Sequence, residues 1–292
     1  MTHKAGFINI IGHPNVGKST LMNLLVGEQL SIVTSKAQTT RHRILGIVNE
    51  EDFQIVYSDT PGIIDPAYKM QEGMMKFVKT ALEDADTIVL MVEVGQKEVK
   101  FEGLVDFLNK SEQQLVVVIN KIDQSDQKKL EAEVEKWQGK FANAKVIPIS
   151  ALHNFNIDVL KANLVSSLPD SPPYYPKDSL TDKPERFFVE EKVREKILMR
   201  YKQEVPYSVE VLVEEFKEEE EIIRIRANIF VTRDSQKGIL IGKGGSQLKE
   251  VGKEARKDLE AFFQKQIYLN LFVKVNKDWR NNEQQLKRFG YL

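Results

Sequence analysis

Cysteine is absent from the 292-residue chain. Its absence removes disulfides, thiolate metal sites and cysteine nucleophiles together, and is compatible with a reducing compartment. The fold has to rest on packing alone. Long hydrophobic runs are missing too. The longest, such as Ile88 to Val92, are far too short to span a bilayer, and Met1 to Gly6 carries no apolar signal segment ahead of the strand-like run that begins at Phe7. There is no internal repeat and no low-complexity tract. What is present is an ordinary globular composition, 41% apolar and 29% charged, at a length that one core seldom organises. Two domains in a soluble cytoplasmic protein are the expectation.

The net charge of −1 conceals an asymmetry. Up to Asp182 there are 19 basic and 24 acidic residues, and from Lys183 on there are 23 basic and 19 acidic. Arg224 to Leu292 alone carries 15 basic residues against 7 acidic ones, while Glu204 to Glu221 is dense in glutamate. A basic C-terminal segment points to a polyanionic partner, although charge-rich helices are more often only solvated faces.

From Phe7 to about Ser167, short apolar β-type runs alternate with stretches of helical period. The runs are Phe7–Ile11, Phe53–Tyr57, Thr87–Val92, Leu115–Ile119 and Val146–Ile149, apolar on both faces as interior parallel strands are. Helices are predicted at Lys18–Val26, Gln71–Glu83, Gly95–Asn109, Gln127–Phe141 and Ile157–Leu168. This alternation builds a doubly wound α/β sheet, with Ile44–Val48 pairing antiparallel at its edge. Four prolines between Leu168 and Pro176 then break the rhythm and favour an extended, semi-rigid connection. The expected division is a first domain over 1–168, a proline-rich linker over 169–182 and a smaller α+β domain with a C-terminal tail over 183–292. That second domain reads in the order α-β-β-α-α-β.

Gly12 to Ser19 matches G-x-x-x-x-G-K-[ST], directly after an apolar strand and opening a helix. Glycines let successive N–H groups face phosphates, Lys18 supplies a cation to the β and γ oxygens, and Ser19 can ligate Mg²⁺. Asp59-Thr-Pro-Gly62 follows the next interior strand, so Asp59 can reach that Mg²⁺ through water and the Gly62 amide can face the γ-phosphate. Asn120-Lys121-Ile122-Asp123 ends a third strand at the carboxyl edge, where ligands of such sheets bind. The Asp123 carboxylate suits two N–H groups of guanine, a pattern that adenine cannot offer. Ser150-Ala151-Leu152 ends the next strand, where a backbone amide can meet the guanine oxygen. The predicted ligands are therefore GTP or GDP with Mg²⁺, held by Gly12, Asn15, Val16, Gly17, Lys18, Ser19, Thr20, Asp59, Gly62, Asn120, Lys121, Asp123, Ser150, Ala151 and Leu152. A P-loop kinase would leave Asn120 to Asp123 unexplained. A vestigial site would show damage at Lys18, Ser19, Asp59 or Asp123, and all four are intact.

In the second domain, Ile241-Gly242-Lys243-Gly244-Gly245 sits between two predicted helices, after two strands and before a third. A backbone free of side chains can approach a single-stranded nucleic-acid backbone closely, helix N-termini offer N–H groups to phosphate, and Lys243 adds charge. Lys249, Lys253, Arg256 and Lys257 follow at three- to four-residue spacing. They either extend a basic binding face, Lys249 and Lys253 first, or form a solvated face with Glu250, Glu254 and Asp258.

The first block resembles the G domain of small GTPases, and Gln38-Thr39-Thr40-Arg41 resembles the switch-I motif of the Era-like, ribosome-associated GTPases. The resemblance assigns a Mg²⁺ ligand to Thr40, with Thr39 as the alternative, beside Ser19 and Asp59. It makes Lys18, Thr40, Asn15 and Gly62 the catalytic set. Ile63 stands where Ras-type GTPases carry a water-orienting glutamine. Related GTPases with an apolar residue there use other groups, in several cases K⁺ held partly by a phosphate-loop asparagine, and Asn15 occupies the matching position. Gly242 to Gly245 resembles the G-x-x-G loop of KH domains. A P-loop GTPase G domain followed by a KH-type domain resembles the Era family over nearly the whole chain. For that family the resemblance implies binding to the small ribosomal subunit and its RNA near the 3′ end, a role in subunit maturation, and peripheral contact with the inner membrane. No DNA partner is expected.

Overall fold

A computed structural model of the chain describes residues 3–99, 101 and 103–292. They form two compact units, one of residues up to 67 with 71–182, the other of residues 68–70 with 183–292.

In the first unit the apolar runs become β1 (Lys4–Gly12), β2 (Ile44–Asn49), β3 (Phe53–Asp59), β4 (Thr87–Glu93), β5 (Gln114–Asn120) and β6 (Lys145–Pro148). The helices are α1 (Lys18–Val26), α2 (Lys69–Glu83), α3 (Leu104–Lys110), α4 (Gln127–Lys140) and α5 (Ile157–Ser166). The sheet order is β2-β3-β1-β4-β5-β6. All neighbours are parallel except β2, which runs antiparallel to β3 at the edge, as expected. Central strands are buried on both faces, which is why their sequences are apolar without alternation: Ile8, Ile10 and Ile11 of β1 and Val89, Leu90 and Met91 of β4 are wholly buried. Leu21 and Met22 of α1 and Leu160 and Leu164 of α5 pack with Ile10, Val89 and Val118 in one core. Parallel strands joined by helices bring the carboxyl ends of β1, β3, β5 and β6 to one edge of the sheet.

Two expectations differ from what is observed. The predicted helix Gly95–Asn109 is shortened to α3, because Gly95 and Gly103 take φ of 80° and 74°, a left-handed conformation that interrupts a helix. Lys100 and Glu102 lie outside the described residues. Residues 169–182, expected as a connection, run instead as a strap on the first unit. The Ile47 N–H donates to Leu180 O at 2.8 Å, Thr181 Oγ1 to Leu45 O at 2.7 Å, and the Leu45 N–H to Asp182 Oδ1 at 3.0 Å. These bonds occupy the open edge of β2, which would otherwise present unpaired backbone groups.

The second unit contains α6 (Glu185–Arg200), α7 (Val205–Ser208), β7 (Glu210–Glu218), β8 (Ile222–Val231), α8 (Asp234–Ile241), α9 (Ser246–Phe263), β9 (Gln266–Val275) and α10 (Glu283–Arg288). Strand β8 pairs antiparallel with β7 and parallel with β9. Ile223, Ile225, Ala227 and Ile229 are buried with Val193 and Ile197 of α6 and Val251, Ala255 and Leu259 of α9; on the other phase Arg224 and Arg226 are exposed, while Asn228 and Phe230 are buried. The C-terminal tail docks on the unit. Trp279, Leu286 and Tyr291 are buried, Phe289 packs against Phe230 and Trp279, and Tyr291 Oη donates to Glu210 Oε2 at 2.6 Å. Among the described residues no helix is long and apolar enough to cross a membrane.

Candidate nucleotide and nucleic-acid sites

At the end of β1 the chain makes a turn that only glycine permits at two places. Gly12 and Gly17 have φ of 154° and 103°, and a Cβ on them would lie 2.2 Å from Met91 O and 2.4 Å from Asn120 Nδ2. Helix α1 then starts at Lys18 with Gly17 as its cap, so its first N–H groups have no partner within the helix. They border a cleft of about 450 Å³ lined by Asn15, Gly17, Lys18, Ser19, Thr20, Gly62, Asn120, Lys121, Asp123, Ala151 and Leu152 of the predicted set. Val16 does not line it, since its side chain belongs to the core. Nor do Gly12, Asp59 and Ser150, all buried behind the cleft wall.

Three predicted metal-binding oxygens converge beside Lys18. Ser19 Oγ lies 2.7 Å from Asp59 Oδ2 and 2.8 Å from Thr40 Oγ1, and Thr40 Oγ1 lies 3.3 Å from Asp59 Oδ2. Among the described residues Asp59 Oδ1 is buried without a hydrogen-bond partner. Thr39 does not reach this corner: its Oγ1 is 2.6 Å from both Thr34 Oγ1 and Lys36 O. Lys18 Nζ donates to Gly12 O at 3.0 Å and His13 O at 2.9 Å. Burial pulls the Lys18 ammonium down to about 8 against the attraction of Asp59. Burial likewise pushes the Asp59 carboxyl up, against Lys18 and the Ser19 and Thr40 hydroxyls that bond it. Both groups are shifted towards neutrality because desolvation outweighs their attraction, a corner suited to receiving further charges of both signs. Gly62 lies against the loop, where a Cβ would come 2.7 Å from Pro14 Cγ. Ile63 is buried and does not line the cleft.

At the other end of the cleft, Asn120 acts as a tie bar between three loops. Its Nδ2 donates to Val16 O at 2.8 Å, and its Oδ1 accepts from the Ala151 N–H at 2.9 Å. Ser150 Oγ donates to Asp123 Oδ1 at 2.6 Å, fixing that carboxylate. Lys121, with φ of 64°, pairs through Nζ with Glu93. Ile32 to Lys36 and Gln124 also line the cleft, although they belong to no sequence motif.

In the second unit the loop Gly242–Gly245 joins α8 to α9 with φ of 71°, 59° and 80° at its glycines. A Cβ on Gly244 or Gly245 would meet nothing within 4 Å, whereas one on Gly242 would lie 2.5 Å from Gln247 Cγ. The loop opens into a groove of about 490 Å³ between α9 and β9, lined by Gly245, Leu248, Lys249, Gly252, Lys253, Arg256, Tyr268, Leu269 and Leu271. Lys249, Lys253 and Arg256 thus share the groove and Lys257 does not. Lys243 is exposed at the loop tip, and Ile241 is half-buried against the core. Tyr268 was not foreseen. It is half-exposed on the edge strand, with the Arg224 guanidinium 5.6 Å over its ring. Its only signal is an aromatic residue on the outward phase of an alternating strand.

Known proteins match both units. The family described as 50S ribosome-binding GTPase matches residues 7–121, and the KH domain family matches residues 204–280. GTPase Era of Staphylococcus haemolyticus (strain JCSC1435) is 44% identical over 292 residues, 99% of this chain and 98% of its own. Two crystal structures align at 38% identity and a TM-score of 0.94, each over 99% of both chains. One is Era in complex with MgGDPNP and nucleotides 1506–1542 of 16S ribosomal RNA, the other an Aquifex aeolicus Era variant bound to GDP and AlF4⁻.

Proposed function

The chain belongs to the Era family of GTPases, and from that premise we propose that it is a GTP-governed binder of small-subunit ribosomal RNA, acting near the 3′ end of that RNA in subunit maturation. GTP binding and hydrolysis are assigned to the first unit, which holds the residues that match the GTPase family. The observation that carries the RNA part is that both units, not the G domain alone, match Era crystallised with a 16S RNA fragment. The description of the G-domain family speaks of the 50S ribosome but covers only residues 7–121, so the whole-chain likeness bears more closely on the partner.

Within this reading, Mg²⁺ suits the corner formed by Ser19, Thr40 and, through water, Asp59: the donors are hard oxygens and Asp59 Oδ1 has no partner among the described residues. Held by these residues, Mg²⁺ would supply positive charge against the nucleotide phosphates. Lys18 adds a cation, Gly62 offers its amide, and Asp123 with the Ser150 to Leu152 loop selects guanine. K⁺ is included because the Asn15 amide donates through Nδ2 to Ser35 O at 3.0 Å, which leaves Oδ1 for a cation; equal hydrolysis in K⁺ and Na⁺ would remove it. In the second unit Ile241 positions the loop, and Gly242 to Gly245, Lys249 and Lys253, joined by Arg256 and Tyr268, hold single-stranded RNA. The working compartment is the cytoplasm. Peripheral membrane contact is proposed on family resemblance, and failure of the protein to float with anionic vesicles would dispose of it.

The test is the affinity of the intact protein for an RNA fragment from the 3′ end of the small-subunit RNA. Lys243→Asp with Gly244→Asp places two negative charges at the loop, and Asp is among the residues that tolerate the left-handed φ of 59° at Gly244. RNA affinity should fall more than about tenfold, as lost phosphate contacts do, while GTP hydrolysis without RNA is retained. Unchanged RNA affinity would refute the assignment of the loop.

A further inference from the structure

Thr40 lies in the segment between α1 and β2, and the two ends of that segment are pinned differently. At its start the Asn23 amide on α1 closes two bonds on the backbone of Ser31: Nδ2 donates to the carbonyl at 2.8 Å, and Oδ1 accepts from the N–H at 2.9 Å. That end is tied to the helix opened by the phosphate loop. The other end is Arg43, the residue before β2, whose guanidinium reaches three elements. Nε donates to Ser58 Oγ on β3 at 2.7 Å, and Nη2 to Asn9 Oδ1 on β1 at 3.2 Å. Nη1 and Nη2 grip Asp84 at 2.5 and 2.9 Å. Asp84 directly follows α2, its N–H bonded to Thr80 O at 3.1 Å. Asn9, wholly buried, braces the same place, donating to Asp84 Oδ1 at 2.7 Å and to Ala81 O at 2.6 Å.

An exposed ion pair would carry little weight. Here the Arg43 side chain is only 13% exposed, and its planar fork fixes direction as well as distance. The fork links the end of the Thr40 segment to the C-terminal end of α2, the helix that follows Asp59 to Gly62. We propose that Arg43 and Asp84 form a latch between the segment that carries Thr40 and the C-terminal end of α2, with Arg43 a positioning residue for Thr40. A shift of α2 pulls on Arg43 and so moves Thr40, three residues ahead, relative to Ser19 and Asp59. The latch therefore favours nucleotides that engage Thr40 over those that do not. This rests on the reading of Thr40 given above.

Asp84→Asn removes charge at a side chain that is 41% exposed, and Arg43→Lys keeps charge while losing the fork. Affinities of the full chain for GDP and for a non-hydrolysable GTP analogue, over a range of Mg²⁺ concentrations, are compared with those of Thr40→Ala. Both latch variants should hold GDP within about twofold of the parent and lose about fivefold or more for the analogue. They should also need more Mg²⁺ for half-maximal analogue binding, and the double variant should lose no more than the worse single one. Melting temperatures on the same samples separate this selective loss from general destabilisation. Equal losses for both nucleotides, no loss, or additive losses would overturn the latch. If Thr40→Ala loses analogue selectively and the latch variants do not, the latch alone fails; if Thr40→Ala shows no selectivity, the underlying reading of Thr40 fails.

Discussion

Asp123 is held in place by Ser150 Oγ at 2.6 Å, and its neighbour Asn120 ties the phosphate loop to the Ala151 amide. The carboxylate proposed to read the base is thereby held by its surroundings. Each charged hydrogen bond to guanine is worth roughly 1.5–3 kcal/mol. In Asp123→Asn one acceptor becomes a donor, so preference should move from GTP towards XTP; a GTP-to-XTP affinity ratio unchanged in the variant would remove Asp123 from this role. Glu190 illustrates a second residue-scale effect, in the other unit. It accepts from the Val213 N–H at 2.8 Å, and burial, joined by the charges of Glu210 and Glu191, pushes its carboxyl up to about 8. The folded chain keeps a proton there that the unfolded chain releases near the ordinary value of 4.5. This contribution to stability is full below that value and is lost as pH rises towards 8. Since one pKa unit corresponds to about 1.4 kcal/mol, Glu190→Gln should gain upward of about 1 kcal/mol on the parent between pH 5 and pH 8. Urea unfolding at the two pH values measures this, and a constant difference would contradict it.

At the scale of elements, the strap shows how a few polar atoms hold an extended segment. Gln54, wholly buried on β3, accepts from the Tyr174 and Tyr175 N–H groups at 2.8 and 3.0 Å and donates to Tyr175 O at 2.8 Å. Gln54→Leu fills the space but strands those groups, at about 1–3 kcal/mol for each one left buried. Urea unfolding should show a loss of about 2–4 kcal/mol, whereas a loss under about 0.5 kcal/mol would mean the strap is held by other contacts. None of this was visible in the chain, where the prolines announce an extended path and not the surface it lies on. The interior strands were legible because burial on both faces leaves an unbroken apolar run, and the nucleotide motifs because each follows such a run. Helix α3 was overextended because a helical period continues through glycines whose positive φ interrupts the backbone. In the second unit the G-x-x-G loop was legible from its place among the helices. The division of the basic residues of α9, three in the groove and Lys257 outside it, needed the position of β9.

At the scale of the molecule, the nucleotide cleft and the α9–β9 groove belong to separate units, each with its own core. A protein that only bound both ligands would give each the same affinity whether or not the other was present. Coupling requires that one ligand distinguish two states of the chain, and linkage then makes the effect reciprocal. The Era structure that carries 16S RNA carries MgGDPNP as well, so the GTP state is the one proposed to favour RNA. The direct measurement is the affinity of the intact chain for a 3′-end fragment of the small-subunit RNA, with GDP and with a non-hydrolysable GTP analogue in the same buffer. The analogue should tighten RNA binding by at least about fivefold, and the RNA should tighten analogue binding relative to GDP by the same factor. Equal RNA affinities in the two nucleotide states would contradict the account.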